Sequence, residues 1–301
     1  MKFVTFLNFK YLPQLLILLN SMRKFNIHKK LYVFALDDKT YDFVKKLGKD
    51  IKTIHISKLE SNEINLAKKN RNEIEFIWTL TPFCVSFVLN NFEENIIYID
   101  CDMQFQKYPK NIKKIHSDLM DKVILTPHFF DEYKKKLEVK HGRYCVQFLR
   151  FNKKNHKNLL VSWKKSVLQN CTMKAVGGNF ADQKYLENFK SIDPTTVLEN
   201  IDKDLFGGPW NMNSIDLART EIFHFSGLKF IGEKKFKIFD WSYLVFNKKI
   251  KNIYKKYINN FYESLLILKK FGFVYEDFKL ETSIIEKIKF MITKKNIMIS
   301  K

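Results

Sequence analysis

Residues Asn95–Met103 read NIIYIDCDM, and this stretch decides the fold. An apolar run leads directly into Asp100, which is typical of a strand buried on both faces of a parallel sheet. Asp100 and Asp102 are two residues apart, and side chains with that separation on an extended backbone point to the same side. Two carboxylates at the carboxyl end of a strand predict a site for a hard divalent cation, although Asp also commonly closes a strand in a turn.

The segments around this strand alternate between strand and helix patterns. Further short runs rich in β-forming residues are Lys2–Leu7 (KFVTFL), Leu31–Leu36 (LYVFAL) and Ile51–Ile56. Apolar residues at helical spacing lie between Tyr11 and Phe25, and Thr81-Pro82 is typical of a helix start with Thr as N-cap. Strands separated by helices predict an α/β fold with a mixed, mainly parallel sheet flanked by helices. They also predict a ligand site at the carboxyl ends of the strands.

The last quarter of the sequence has a different character, because it is rich in lysine. Apolar residues at helical spacing between the lysines predict two amphipathic helices, one through Ile250–Leu265 and one through Ile284–Ile292. We therefore predict an α/β domain over residues 1–240 and a basic helical extension over 241–301. The apolar faces of the extension either cover the α/β domain or attach to an anionic membrane, where each lysine contributes roughly 1 kcal/mol.

The charge of the chain restricts its partners. A net charge of +21 suits nucleic acid, an anionic membrane or acidic substrates. Almost all the cations are lysines, whereas base-edge and phosphate recognition favours arginine. Because no nucleic-acid-binding motif is evident either, we expect no nucleic-acid partner. A lysine-rich protein that binds nucleic acid or an anionic surface is the alternative.

Cysteine usage and hydropathy indicate the compartment. The 4 cysteines lack CxxC spacing, which argues against a disulfide framework or a structural zinc site and fits a reducing cytoplasm. The apolar runs are much shorter than the roughly 20 residues needed to span a bilayer. We therefore expect a cytoplasmic protein, either soluble or peripheral on the inner face of the membrane.

The segment Glu221–Lys229 (EIFHFSGLK) offers a candidate third metal ligand. His224 ends an apolar run, where its imidazole either joins the two carboxylates around a metal or is merely hydrogen-bonded. A mixed oxygen and nitrogen ligand set favours Mn²⁺ over Mg²⁺. Gly227 would allow close approach of the backbone to a phosphate, and Lys229 could act on it as a point charge.

A glycine-containing segment, Gly177–Gln183 (GGNFADQ), precedes another predicted helix. Asp182 and Gln183 lie near the start of that helix, where they are either helix caps or hydrogen-bonding partners for sugar hydroxyls.

In their order along the chain, these segments resemble GT-A fold glycosyltransferases. The family they most resemble is glycosyltransferase family eight, with related bacterial sugar transferases that build lipopolysaccharide or capsule. The resemblance covers about residues 1–240 and rests on KFVTFLN, YIDCDM, GRYCVQFLRFN, GGNFADQKYL, GGPWN and HFSGLK. It implies a GT-A fold and a metal-dependent transfer, with retention of configuration, from a nucleotide-diphosphate sugar to a glycan or lipid-linked acceptor.

The resemblance also implies roles for individual residues. Asp100, Asp102 and His224 would hold Mn²⁺ or Mg²⁺ against the diphosphate of the donor. Gln183 matches the residue beneath the anomeric carbon and Asp182 a sugar-binding aspartate, so both are implied to be catalytic. The other implied contacts are Asn8, Tyr11, Gly227 and Lys229 to the nucleotide, and Asn179, Trp210 and Asn211 to the sugar.

Three features depart from the family pattern. Cys145 and Gln147 stand where the family usually has Asn and Gly. The spacing from His224 to Lys229 is one residue shorter than the corresponding spacing in the family. The Arg that precedes the metal strand has no clear counterpart, and Arg71 is the nearest candidate. A GT-A scaffold without catalytic activity is therefore an alternative.

A sugar-phosphate nucleotidyltransferase is the rival from another enzyme class. Such an enzyme needs a glycine-rich basic loop after the first strand to hold a triphosphate. The corresponding segment Asn8–Pro13 contains no glycine, which argues against this function.

Overall fold

The computed structural model of the chain describes residues 1–174, 178–232, 235–237, 248–280 and 297–299. Its α-helices are α1 (Leu12–Lys24), α2 (Asp38–Val44), α3 (Asn62–Asn70), α4 (Glu73–Thr79), α5 (Thr81–Asn91), α6 (Lys110–Asp118), α7 (Leu137–His141), α8 (Lys157–Gln169), α9 (Phe189–Ile192) and α10 (Lys248–Lys269). Its strands are β1 (Lys2–Leu7), β2 (Lys30–Ala35), β3 (Ile51–His55), β4 (Asn95–Ile99), β5 (Met103–Phe105), β6 (Val123–Pro127), β7 (Tyr144–Cys145), β8 (Phe148–Asn152), β9 (Val197–Glu199), β10 (Phe206–Gly207), β11 (Ile222–His224), β12 (Lys229–Gly232), β13 (Lys235–Lys237) and β14 (Ile297–Ile299).

The largest sheet has the strand order β3-β2-β1-β4-β8. The first four strands are parallel, and β8 runs antiparallel to β4. Helices connect the parallel strands, as such crossovers require. The predicted α/β fold with a mixed, mainly parallel sheet flanked by helices is confirmed.

Both faces of this sheet are buried, because successive side chains of each strand enter two separate apolar cores. Phe3, Val33 and Ile97 contribute to the core shared with α1 and α10. Val4 and Phe34 contribute to the core shared with α5 and α8. Burial on both faces explains why these strands read as continuous apolar runs in the sequence.

A smaller sheet crosses the carboxyl end of β4. Its order is β10-β11-β5, with β11 parallel to β10 and antiparallel to β5. Since β5 begins only three residues after Asp100, this pairing brings a distant segment of the chain, Ile222–His224, to the end of the central sheet. The remaining sheets have the orders β7-β6-β9 and β12-β13-β14.

Helix α10 packs its apolar face onto the same core as α1. Its buried residues are Ile250, Tyr254, Tyr257, Ile258, Phe261, Ser264, Leu265 and Leu268. This helix confirms the one predicted through Ile250–Leu265. The second predicted helix, through Ile284–Ile292, lies outside the described residues. So does the predicted boundary at residue 240, and the division into two domains stays a prediction.

Two local predictions need correction. Thr81 is not the N-cap of α5, because the helix already begins at Thr81 and Leu80 holds the N-cap position; the Thr81 hydroxyl instead donates to Asp182 Oδ2 at 2.7 Å. The segment Cys145–Phe151 (CVQFLRF) is predicted from the sequence as one strand, whereas the structure has two, β7 and β8. Val146 and Gln147 separate them, because there the chain leaves the sheet of β6 and joins β4.

Candidate active site

A cavity of about 440 Å³ opens where β1 and β4 end. Its polar and charged lining residues include Asn8 after β1, Asp100 and Asp102 after β4, and Asp182. Among the described lining residues there is no Lys or Arg, although the whole chain carries a net charge of +21. The cavity is therefore locally acidic inside a strongly basic protein.

Asp100, Asp102 and His224 form one cluster in this cavity. Each offers a ligand atom, and these atoms all lie within 4.8 Å of one another. His224 Nε2 is 2.9 Å from Asp102 Oδ1 and 3.6 Å from Asp100 Oδ2. Two carboxylates and an imidazole form a donor set suited to a divalent cation such as Mn²⁺.

The pairing of β11 with β5 places His224 in this cluster. His224 lies opposite Met103, the residue after Asp102. The backbone N–H of Phe225 donates to the Asp102 carbonyl at 3.0 Å, which ties the end of β11 to the Asp100–Asp102 turn. Two segments more than 100 residues apart in sequence are thus joined by backbone hydrogen bonds, which fix their spacing.

Burial and charge act in opposite directions on His224. Burial lowers its pKa, but the Asp102 and Asp100 carboxylates and the Cys145 thiol hold the pKa well above its ordinary value. Burial raises the pKa of Asp100, although His224 and a 2.6 Å hydrogen bond from the Tyr98 hydroxyl to Asp100 Oδ1 favour the carboxylate. Without a metal, the imidazole thus takes the place of a cation between the two carboxylates.

Trp210 packs against the cluster and closes one wall of the cavity. Its ring meets His224 edge-to-face at 5.4 Å between centroids and meets His128 at 5.2 Å. Close packing with Gly208 requires a glycine, because a Cβ there would lie 2.5 Å from the Trp210 ring. The GGPWN segment therefore shapes the cavity.

Asp182 lines the cavity and connects it to the core beneath. Its Oδ2 accepts the Thr81 hydroxyl at 2.7 Å, and its backbone carbonyl accepts the indole N–H of Trp163 at 2.9 Å. Burial raises the pKa of Asp182 to about 7; the bond from Thr81 opposes this shift, while the charge of Asp100 adds to it. Asp182 is thus a buried carboxyl that gives up its proton near neutral pH.

The raised pKa of Asp182 predicts a pH-dependent stability. Between about pH 4 and pH 7 the folded state keeps a proton that the unfolded state has lost, so the free energy of unfolding falls as the pH rises. Asp182→Asn removes this titration and keeps an acceptor for Thr81. In metal-free urea denaturation, we compare the free energy of unfolding of the variant with that of the wild type. We expect the difference to change by of order 2 kcal/mol in favour of the variant from pH 4.5 to pH 7.5. Asp42→Asn, at an exposed position of α2, should follow the wild type, and a constant difference for Asp182→Asn would contradict the prediction.

Gln183 also lines the cavity, and a neighbouring carbonyl holds its amide. Its Nε2 donates to the His141 carbonyl at 2.5 Å. The His141 ring packs edge-to-face on Phe180 at 4.4 Å, and Phe180 in turn lies 6.2 Å from Trp78. No local sequence pattern indicates this aromatic wall, because its members come from separate helices and loops.

Asn8 and Tyr11 also line the cavity, directly after β1. The Asn8 amide N–H donates to Glu73 at 2.9 Å, while its Oδ1 is buried and has no hydrogen-bond partner among the described residues. Gly227 also lines the cavity and has a φ of 76°, a left-handed conformation that favours glycine. The structure therefore brings both segments to the cavity.

Three residues to which the resemblance gives a binding role, and also Arg71, are not among the residues that line the cavity. Asn211 instead closes the turn that carries Trp210, since its side chain bonds to Gly208 N–H at 2.9 Å and to the Phe206 carbonyl at 3.0 Å. Asn179, Lys229 and Arg71 are likewise not among the lining residues.

Arg71 is held elsewhere by hydrogen bonds. Its guanidinium donates to the Leu168 carbonyl at 2.7 Å and to the Thr79 hydroxyl. Its guanidinium is therefore directed to α4 and to the end of α8 and not into the cavity.

Comparison with known sequences identifies distant relatives. No protein-family model matches the sequence. The uncharacterized protein YfnD of Bacillus subtilis (strain 168) is 26% identical over 275 residues, which cover 86% of this chain and 88% of the relative. The uncharacterized protein YfnF of the same organism is 26% identical over 245 residues, which cover 75% of this chain and 81% of the relative. Their names assign no activity.

Solved structures with a similar arrangement include several sugar transferases. Mouse xyloside xylosyltransferase 1, in its apo form, superposes with a TM-score of 0.48 at 11% identity, covering 74% of this chain and 97% of that one. The galactosyltransferase LgtC, in complex with donor and acceptor sugar analogs, gives 0.43 at 14% identity, covering 75% and 87%. Since these scores lie below 0.5, the strand order and the measured distances alone support the fold and the site described above.

Proposed function

We propose that the chain is a metal-dependent GT-A glycosyltransferase that moves a sugar from a nucleotide-diphosphate donor to a glycan or lipid-linked acceptor. The observation that supports this most is the convergence of Asp100, Asp102 and His224 at the carboxyl end of a central parallel strand. Parallel sheets bind ligands at that edge. We place the activity in the synthesis of cell-surface polysaccharide, such as lipopolysaccharide or capsule, on the strength of the sequence resemblance.

The donor set fits a divalent cation. Asp100 and Asp102 supply hard oxygen ligands, and His224 supplies a nitrogen, which favours Mn²⁺ and also accommodates Mg²⁺. A cation held there supplies positive charge that stabilises the diphosphate as it departs. The described lining residues include no Lys or Arg that could neutralise a diphosphate. A cation held by these three ligands would therefore supply the positive charge that the diphosphate needs.

The other lining residues are suited to the nucleoside and the sugar. The unpartnered Oδ1 of Asn8 can accept an N–H of the base, and Tyr11 lies beside it. Asp182 and Gln183 provide a carboxyl group and an amide oxygen that bond to sugar hydroxyls. Trp210 holds His224 in place and limits the space for the sugar.

We propose that configuration is retained during transfer. The acceptor hydroxyl then attacks the anomeric carbon on the face from which the diphosphate leaves. The new glycosidic bond forms as the bond to the diphosphate oxygen breaks, and a phosphate oxygen takes the proton. This sequence needs no carboxylate as general base, so Asp182 and Gln183 bind and orient the sugar.

The experiment that tests this function is a panel of nucleotide sugars with the full chain. We expect slow hydrolysis of one donor class that depends on Mn²⁺, and a higher Tm when Mn²⁺ and the matching nucleoside diphosphate are both present. Hydrolysis requires no knowledge of the acceptor. Mn²⁺-independent turnover, or no thermal response to any nucleoside diphosphate with Mn²⁺, would argue against the proposal.

We further propose that the chain works at the anionic inner face of the cytoplasmic membrane. None of the described helices combines the length and apolar character that crossing a membrane requires. Away from its buried face, α10 carries a row of exposed lysines, namely Lys248, Lys249, Lys251, Lys255, Lys256 and Lys269. The protein should cosediment with vesicles that contain anionic lipid, and the double variant Lys255→Glu/Lys256→Glu should cosediment to a smaller extent. Equal binding to neutral vesicles would count against this account.

A further inference from the structure

Gln147 contacts two residues of the Asp100–Asp102–His224 cluster at once. It is 1% exposed and lies in the short connection between β7 and β8. Its side-chain Oε1 is 3.2 Å from His224 Nδ1, and its backbone carbonyl accepts the N–H of Asp100 at 3.1 Å. One residue therefore contacts the imidazole through its side chain and the first carboxylate residue through its backbone.

The contact with Gln147 determines which ring nitrogen of His224 carries the proton and which one is free to bind a metal. An amide oxygen can only accept a hydrogen bond, so Nδ1 must carry the proton and donate it. Nε2 is then the nitrogen left with a lone pair in the neutral ring, and Nε2 is the atom that lies 2.9 Å from Asp102. The hydrogen bond on one imidazole nitrogen sets the nitrogen available to a metal.

We propose that Gln147 is a positioning residue that presents His224 Nε2 to the divalent cation, an inference that rests on the proposed metal-dependent function. Trp210 packs edge-to-face on the same ring, so its orientation is restrained by packing and by the hydrogen bond together. The turn between β7 and β8 makes this contact possible, because there the chain leaves β6 and joins β4, the strand that leads into Asp100. Gln147 does not itself bind the metal.

The test is the affinity for Mn²⁺ alone, measured by calorimetry on the full chain without any sugar substrate. Gln147→Met has similar length but no acceptor, and we expect it to weaken Mn²⁺ binding about tenfold or more. Gln147→Glu keeps an acceptor at the same position and should restore affinity close to that of the wild type. Gln14→Met is the matched control, because Gln14 is buried on α1 and is not among the cavity-lining residues.

A second measurement does not depend on the folding of any variant. In the wild type saturated with Zn²⁺, used as a diamagnetic substitute for Mn²⁺, ¹⁵N spectra of the histidines should show His224 bound to the metal through Nε2 and protonated on Nδ1. Binding through Nδ1 instead would overturn the proposal.

The outcomes separate this inference from the function on which it rests. If folded Gln147→Met binds Mn²⁺ as tightly as the wild type while Asp102→Asn loses binding, Gln147 is not a positioning residue and the metal site stands. If neither variant changes Mn²⁺ affinity, the metal site itself is wrong. Weaker binding for both variants, with restoration by Gln147→Glu, supports both.

Discussion

Asp102→Asn is expected to lower the rate of sugar transfer by roughly 10²–10³-fold at saturating donor and Mn²⁺, since charge stabilisation of the leaving group is the main catalytic device of such a site. The side chain keeps its size, but an amide oxygen is a weaker metal ligand than a carboxylate. The substitution also removes one of the two carboxylate charges that face His224. The measurement is a donor hydrolysis or transfer assay, with Mn²⁺ affinity measured in parallel.

The control for Asp102→Asn is an exposed carboxylate elsewhere. Asp42→Asn on α2 changes the net charge by the same amount and should leave the rate unchanged. Asp102 is partly exposed in the turn between β4 and β5, so we expect the variant to fold. Near-normal transfer by folded Asp102→Asn would show that the metal assignment is wrong.

Trp163→Ala is expected to destabilise the fold by about 3–5 kcal/mol, as is usual when a large aromatic residue is removed from a core. Trp163 is fully buried on α8, between Phe151 and Phe189 at centroid distances of 6.0 and 5.8 Å. Its loss would leave a cavity and would also leave the Asp182 carbonyl without its hydrogen bond. Urea denaturation followed by circular dichroism measures the change.

Two further substitutions separate the contributions of Trp163. Trp163→Phe keeps most of the packing but removes the donor to the Asp182 carbonyl, and should cost about 1–3 kcal/mol. Val161→Ala lies on the same helix at an exposed position and should change stability by no more than about 0.5 kcal/mol. If Trp163→Ala were no more destabilising than Val161→Ala, the description of this core would be wrong.

Local patterns were sufficient to predict much of the fold. The run Asn95–Ile99 was predicted as a buried strand because its residues are apolar without alternation. In the structure, the side chains of β4 enter the apolar cores on both faces of the sheet. The alternation of strands and helices predicted the parallel sheet. These features depend on residues close in sequence, which is why the sequence alone reveals them.

The cluster and its surroundings depend on pairings between distant segments. That His224 meets Asp102 follows from the antiparallel pairing of β11 with β5, and no local pattern specifies that pairing. Thr81 was read as a helix cap because Thr before Pro is typical of one, whereas its hydroxyl bonds to Asp182, 101 residues away. Gln147 was recognised as a departure from a family pattern, but only the 3.2 Å distance to His224 suggests what the departure does.

The packing of α10 on α1 has a consequence for how the chain reaches its native state during synthesis. The apolar core that contains Leu15 and Leu19 is completed by Phe261 and Leu268, about 250 residues later in the sequence. While the ribosome is still translating the middle of the chain, α1 is available to cover this side of the nascent sheet but α10 is not, so part of the apolar core is exposed. The folding of this core therefore finishes only after α10 has left the exit tunnel, and a chain truncated upstream of Lys248 should expose apolar surface to which chaperones bind.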